Sequence, residues 1–294
     1  MAPSFKLLPR TTIKCYSEAT YRSKTNPECP VSDPLRKRLA VAIEACQLAD
    51  AVLLKHFNRL KEVKHKPDAG LVTEADVESE QTVQSFLKKH YPHDAFVGEE
   101  SGLQSGADAT SGRWICDPLD GTTNYVNGFD YFGVSLAYVE GKETLLGVTT
   151  IPRMGRTFHA TKGGGSFLNG ERISVRMTKS RLSECFLATG FSYSVGPILS
   201  KQMKLFETMV RSTTAVRRPG AACLDLAFVS AGVFDGFWEY DLQPWDLVAG
   251  ELLVREAGGL TCNERGQPYS IDSTGVIAGS PKIFEELKGR ILEN

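Results

Sequence analysis

Three separate stretches of the chain place carboxylates where apolar segments stop or helices begin. Gly98-Glu99-Glu100-Ser101 follows Ala95-Phe96-Val97, and Asp117-Pro118-Leu119-Asp120-Gly121-Thr122-Thr123-Asn124-Tyr125 follows Trp114-Ile115-Cys116. Far downstream, Trp245-Asp246 opens a segment that ends in Glu256-Ala257-Gly258-Gly259. In the middle stretch an apolar strand delivers Asp117 to the end of a sheet. Pro118, with no amide to donate, is expected to stop the ladder there. A turn then brings Asp117 and Asp120 toward one site, and Gly121 lets backbone approach a ligand closely. A helix beginning here would offer the free N–H groups of Gly121 and Thr122 to an anion. Clustered carboxylates repel unless a cation sits between them, and an all-oxygen donor set favours Mg²⁺ over softer metals. Backbone donors for phosphate beside carboxylates for magnesium describe phosphoryl transfer.

Each piece also has an ordinary explanation. Glu99-Glu100 alone reads as a solvated loop, Asp117-Pro118 as a turn, and Trp245-Asp246 as an apolar anchor before a helix-start charge. Gly163-Gly164-Gly165 matches no phosphate-binding loop and reads as a hairpin turn. The chain has no GxSxG elbow, and its five histidines lie outside the acidic motifs. Joint occurrence, not any single motif, argues for a site.

The elements that must hold these residues follow from periodicity. Ser32-Asp33-Pro34 starts a helix whose apolar positions Leu35, Leu39, Ala42, Ile43, Cys46, Leu53 and Phe57 recur at helical spacing to about residue 58. Lys61 to Gly70 is polar, contains Pro67 and Gly70, and is expected to be a mobile loop. Thr73 and Asp76 can cap a second helix with Val77, Val83, Phe86 and Leu87 on its apolar face. Strand-like runs at 133–139 and 144–151 flank a turn at Glu140-Gly141-Lys142, and Thr157–Ala160 continues the β texture. After residue 184 strands and helices alternate: strands at Cys185–Ala188 and Gly236–Glu239, and helices at Ile198–Val210, Ala221–Ala231, Leu247–Glu256 and 281–292. This mixture lacks a strict βαβ rhythm and favours layered sheets and helices over a barrel.

Composition sets the outer limits. The 294 residues are 41% hydrophobic and 23% charged with a formal net charge of −1, so a core is affordable and no global field recruits nucleic acid or membrane. No apolar run reaches the ~18 residues of a membrane span. Seven cysteines without a CxxC suggest buried small side chains in a reducing compartment rather than disulfides or zinc. Residues 1–31 read as a loose tail, with an organelle transit peptide as the alternative to a cytoplasmic chain. Residues 32–294 read as one catalytic domain of two intimately packed halves, with a soft boundary near 180–195.

Taken together, the three ordered acidic motifs resemble the inositol monophosphatase family, within the larger group of magnesium-dependent, lithium-sensitive phosphatases. The resemblance runs from about residue 35 to 292 and is of bacterial type. It implies a layered α-β-α-β-α sandwich of the inositol monophosphatase/fructose bisphosphatase type, two or three Mg²⁺ per site, and a homodimer. It implies that Glu99, Asp117, the Leu119 carbonyl, Asp120 and Asp246 hold metal, and that Glu99 and Thr122 align the attacking water. Asp76 would orient Thr122, the amides of Gly121 and Thr122 would hold phosphate, and Lys66 would correspond to a loop lysine. Asp120, Ala222 and Glu239 would meet the hydroxyls of myo-inositol monophosphate. Tyr125 departs from a usual phenylalanine, and Gly190-Phe191-Ser192-Tyr193 falls on the family's variable pocket loop. Alternative substrates are fructose 1,6-bisphosphate, 3′-phosphoadenosine phosphates and histidinol phosphate. Some bacterial relatives associate with transcription machinery or RNA, and Arg217-Arg218 is a basic pair that fits such a role.

Overall fold

The computed structural model describes residues 32–66, 70–104, 112–192 and 197–293. The expected N-terminal tail and its transit-peptide alternative, Cys15, Cys29 and Tyr193 all lie outside those residues. Helix α1 (Asp33–His56) starts with Pro34 in its first turn and buries Leu39, Ala42, Cys46, Ala49 and Leu53. Helix α2 (Glu74–His90) follows a capping box in which Thr73 and Asp76 satisfy each other's first-turn groups. Both helices lie on one face of a large sheet.

That sheet has eight strands, β3 (Ala95–Gly98), β4 (Gly102–Gln104), β5 (Arg113–Asp120), β6 (Gly133–Glu140), β7 (Glu143–Ile151), β8 (Arg156–Thr161), β9 (Gly165–Leu168) and β10 (Glu171–Ile173). Their order is β10-β9-β8-β7-β6-β5-β3-β4, antiparallel except for the β3–β5 pair. Its first helical layer encloses a core of Leu53, Phe57, Trp114, Tyr125, Phe132 and Leu136. A second sheet runs β12 (Ala215–Arg217), β11 (Phe186–Thr189), β13 (Gly236–Tyr240), β15 (Gly275–Gly279), β14 (Leu260–Cys262). Helices α5 (Ala222–Ser230) and α6 (Pro244–Glu256) pack against each other and contact both sheets. Helices α4 (Pro197–Ser212) and α7 (Phe284–Leu292) pack on the second sheet, around Leu205, Met209, Trp238 and Leu287. The layers are therefore helix, sheet, helix, sheet, helix. No helix among the described residues is long and apolar enough to cross a membrane.

Two sequence expectations are corrected. The expected loop at 61–70 holds strand β1 (Val63–His65), which pairs antiparallel with β2 (Leu71–Thr73). All three residues of β1 are exposed, so no apolar alternation marked it as a strand. Pro118 does not end β5. The register skips there, with Asp117 opposite Ser135 and Asp120 opposite Gly133. Three steps on β5 thus face two on β6, a bulge that absorbs the missing proline amide and lets the strand continue. The five described cysteines, Cys46, Cys116, Cys185, Cys223 and Cys262, are buried and unbridged.

Candidate active site

The bulge also explains how two carboxylates three residues apart reach one place. Residues i and i+3 of a regular strand point to opposite faces; the extra residue between Asp117 and Asp120 changes that phase, and both side chains line one cavity of about 600 Å³. Leu119, Gly121, Thr122, Glu99, Glu100, Ala222, Glu239, Asp246 and Lys66 line it too. Of the site residues expected from sequence, only Asp76 lies behind this wall, where it contacts Thr122.

Each carboxylate is fixed by a different element. The turn after β3 is tied down by Glu99 N donating to Cys116 O (3.2 Å) and Glu100 N donating to Glu80 Oε2 (2.9 Å). Asp117 Oδ1 accepts from Leu119 N at 2.9 Å. Asp120 Oδ2 accepts from Cys223 N at 2.7 Å, at the first turn of α5. Asp246, third residue of α6, spends one oxygen on the cap, accepting from Gln243 N at 2.7 Å. Gly121 (φ +89°) closes the turn into helix α3 (Thr122–Val126), and a Cβ there would stand 2.9 Å from Tyr131 O. At the start of α3 the Thr122 hydroxyl lies 3.1 Å from Asp76 Oδ1 and 3.0 Å from Leu119 O. Asp76 Oδ2 meanwhile accepts from Thr73 N (2.8 Å) and Thr73 Oγ1 (2.6 Å). The unusual Tyr125 is accommodated because its hydroxyl donates to Leu53 O at 2.6 Å.

The electrostatics are those of crowded anions. Burial pushes Asp117 well above the carboxylate range, reinforced by Glu99, Asp120 and Asp246. Asp246 is raised by burial and then by Asp120 and Glu99. Burial lifts Asp120 to about 6 against the opposing pull of Cys223, and lifts Asp76 to about 6 against its Thr73 bonds. Glu100 is raised to about 7 by burial. Lys66 Nζ donates to Glu99 Oε1 and Glu100 Oε1, at 2.6 Å each. Burial opposes its charge, but the two carboxylates overcome that and hold the ammonium protonated. Among the described residues no three His, Cys, Asp or Glu side chains form a ready-made metal cluster, so the convergence is looser than a closed cage. Glu99, which neighbours Asp117, is engaged by Lys66. The donor set still fits a hard divalent cation: it is oxygen throughout, and several members are destabilised by one another's charge.

Two further features escaped the sequence reading. Glu100, read as loop, faces the cavity, and Arg218, read as half of a surface basic pair, lines it beside Phe191. Neither has a local pattern that separates it from a solvated charge.

A five-layer α/β fold with this acidic cavity defines a phosphatase class. The chain belongs to the inositol monophosphatase family, whose model matches residues 35–294. It is 38% identical to the Nus factor SuhB of Pseudomonas aeruginosa, over 86% of this chain and 95% of that one. It is 37% identical to the inositol-1-monophosphatase of Caulobacter vibrioides, over 84% and 99%. Among solved structures, the extragenic suppressor protein suhB of Bartonella henselae superposes with a TM-score of 0.83 at 34% identity, covering 87% of this chain and 98% of that one. The inositol monophosphatase of Anabaena (Nostoc) gives a TM-score of 0.77 at 32% identity, covering 88% and 97%.

Proposed function

We propose that the protein is a magnesium-dependent phosphomonoesterase that hydrolyses myo-inositol monophosphate to inositol and phosphate. One observation carries the reading: Glu99, Asp117, Asp120 and Asp246, from distant parts of the chain, line one cavity together with Thr122. Glu99, Asp117, the Leu119 carbonyl, Asp120 and Asp246 would hold magnesium, which supplies charge neutralisation for an incoming phosphate dianion and Lewis acidity for its ester bond. Thr122, with its proton directed to Asp76 or Leu119 O, keeps lone pairs to accept from a water in the cavity. Glu99 takes a proton from that water as its oxygen attacks phosphorus and the ester P–O bond breaks, and the departing alcohol oxygen takes up a proton from solvent water. The amides of Gly121 and Thr122, at a helix start without intrahelical acceptors, bind phosphate oxygens. Asp120, fixed by Cys223 N, joins Ala222 and Glu239 in meeting the polyol hydroxyls. Glu239 is pushed up by burial and by Asp225 and Asp120, and its carboxyl would meet a hydroxyl of the sugar alcohol.

The test is phosphate release from a panel of esters (inositol 1-phosphate, fructose 1,6-bisphosphate, 3′-phosphoadenosine 5′-phosphate, histidinol phosphate) with magnesium and with EDTA. Magnesium-dependent release, fastest from inositol 1-phosphate, is expected; release from none of them defeats the proposal. We also place residues 32–294 in one catalytic unit acting as a homodimer, which light scattering checks against twice the 32.2 kDa chain mass. A transcription role is a second reading, favoured by the name of the Pseudomonas relative. Salt-sensitive co-purification with RNA polymerase that survives Asp120→Asn supports it.

A further inference from the structure

Away from the acidic site, a second cavity of about 370 Å³ opens between the β6–β7 turn, helix α6, strand β14 and the segment 268–271. It shares no lining residue with the first cavity, although α6 reaches both: Asp246 lines one, and Glu251 and Arg255 line the other. Its volume falls within the roughly 300–1,000 Å³ of small-molecule sites and far exceeds the ~30 Å³ that one water fills. The charged side chains on its wall already have counter-charges within the chain. Glu251 is buried, accepts from Thr261 Oγ1 at 2.8 Å and pairs with Arg255 Nε at 3.3 Å. Lys142 pairs with Asp272 at 3.0 Å, and Glu143 pairs with Lys162. An ionic ligand would have to break one of these pairs or enter with its own charge uncompensated.

What the wall leaves unmatched is neutral. The Tyr269 hydroxyl is buried, and no described residue forms a hydrogen bond with it. Native buried polar groups are nearly always paired, so an orphan on a cavity wall marks a place for a ligand atom. Burial, and then the charges of Glu251 and Asp246, push this phenol well up, so it keeps its proton to donate. Thr144 and Ser270 add hydroxyls to the wall, while Ile271, Pro268 and the Tyr269 ring add apolar surface. Such a lining complements a molecule that carries its own hydroxyls on an aliphatic frame. Each O–H can donate to one wall atom and accept from another, and the C–H edges cover the apolar faces. We propose that this cavity is a binding site for a neutral polyol, held by Tyr269, Thr144, Ser270 and the Glu251–Arg255 pair. The site is separate from the catalytic cavity and does not rest on the phosphomonoesterase reading.

The test is calorimetric titration of the full-length protein with myo-inositol, and separately with inorganic phosphate as an anionic probe, both in EDTA to keep magnesium from the acidic site. Saturable binding of myo-inositol is expected, with no comparable binding of phosphate. Tyr269→Phe removes the orphan hydroxyl and should raise the Kd about three- to tenfold, the scale of one hydrogen bond. Its melting temperature should not fall, because the lost hydroxyl has no partner in the fold. Ser270→Trp, which fills the cavity, should abolish binding, and Asp120→Asn in the catalytic cavity should leave it unchanged. If Ser270→Trp fails to fold, Tyr269→Phe and Asp120→Asn decide between them. The proposal is overturned by any of three results: no saturable binding of myo-inositol, binding that Tyr269→Phe leaves intact or Asp120→Asn removes, or phosphate binding that depends on Tyr269 in its place.

Discussion

The Thr122 hydroxyl and the Asp76 carboxylate meet at 3.1 Å across the base of the acidic cavity, one from the start of α3 and the other from the first turn of α2. Asp76 serves two partners at once, accepting from Thr73 with Oδ2 and from Thr122 with Oδ1. An asparagine has one acceptor oxygen and cannot satisfy both. Asp76→Asn is expected to lower kcat by about 10²- to 10³-fold with little change in KM. If the cap is the partner lost, it should also cost about 1 kcal/mol of stability. Thr122→Ser, which keeps the hydroxyl, should stay within about tenfold of wild type, on the scale of one positioned proton transfer. Steady-state kinetics with urea unfolding checks both; an Asp76→Asn enzyme with wild-type kcat would remove the positioning role.

The repulsion among Asp117, Asp120 and Asp246 gives a prediction whose sign depends on metal. A carboxyl raised in the fold above its unfolded value is more stable protonated, so these three groups should destabilise the metal-free fold less as pH falls from 7 toward 4. Asp117→Asn removes one of the repelling charges while its side-chain oxygen can still accept from Leu119 N. The metal-free variant is therefore expected to melt a few degrees above metal-free wild type, at about 2–4 °C per kcal/mol for a chain of this size. Magnesium at about 100 times its Kd should stabilise wild type by about 2.7 kcal/mol and the variant much less. Differential scanning fluorimetry with EDTA and with magnesium reads all four values, and a variant that is less stable without metal contradicts the argument.

Gly190 faces Glu239 at a distance that no side chain can share. A Cβ on Gly190 would lie 2.0 Å from Glu239 Oε1, so Gly190→Ala must displace the carboxyl assigned to the polyol. The expected result is a kcat/KM for inositol 1-phosphate reduced at least about tenfold, the scale of losing one buried hydrogen bond to a substrate hydroxyl. p-Nitrophenyl phosphate, which has no polyol, should be affected less. Equal losses on both esters would show that Glu239 does not read the alcohol.

The helices and long strands around this site were legible because their apolar residues keep period. Leu39, Ala42, Cys46, Ala49 and Leu53 mark one buried stripe of α1, and Thr73 with Asp76 announces the start of α2. Carboxylates ending apolar runs at Glu99 and Asp117 flagged the chemistry. What stayed hidden depends on tertiary contact. The β1–β2 hairpin is polar and exposed, so its pairing leaves no hydrophobic trace. The β5 bulge was invisible because Pro118 ordinarily ends a ladder, and only the partner strand shows that pairing resumes at Asp120. Arg218 is exposed like any surface arginine, and only the fold shows that it lines the cavity along with Phe191 and Glu239.

His159, remote from the acidic motifs in sequence, predicts the acid limb of stability. It sits in β8, buried and stacked on Phe167 with ring centroids 5.2 Å apart, and burial lowers its pKa to about 4. A histidine whose folded pKa is depressed favours the fold while neutral, so its contribution is intact above about pH 6.5 and is lost as pH falls toward 4. At pH 4.5 the loss should reach about 2–3 kcal/mol, from the shift converted at about 1.36 kcal/mol per unit. The raised carboxylates act in the opposite direction over the same window, so the wild-type curve alone cannot isolate the histidine. His159→Phe keeps a stacked ring without a titrating nitrogen. Its stability relative to wild type, measured by urea unfolding in EDTA, should therefore rise between pH 7 and pH 4.5 by about that amount. A difference between the two proteins that does not change with pH would mean that protonation of His159 is not coupled to unfolding.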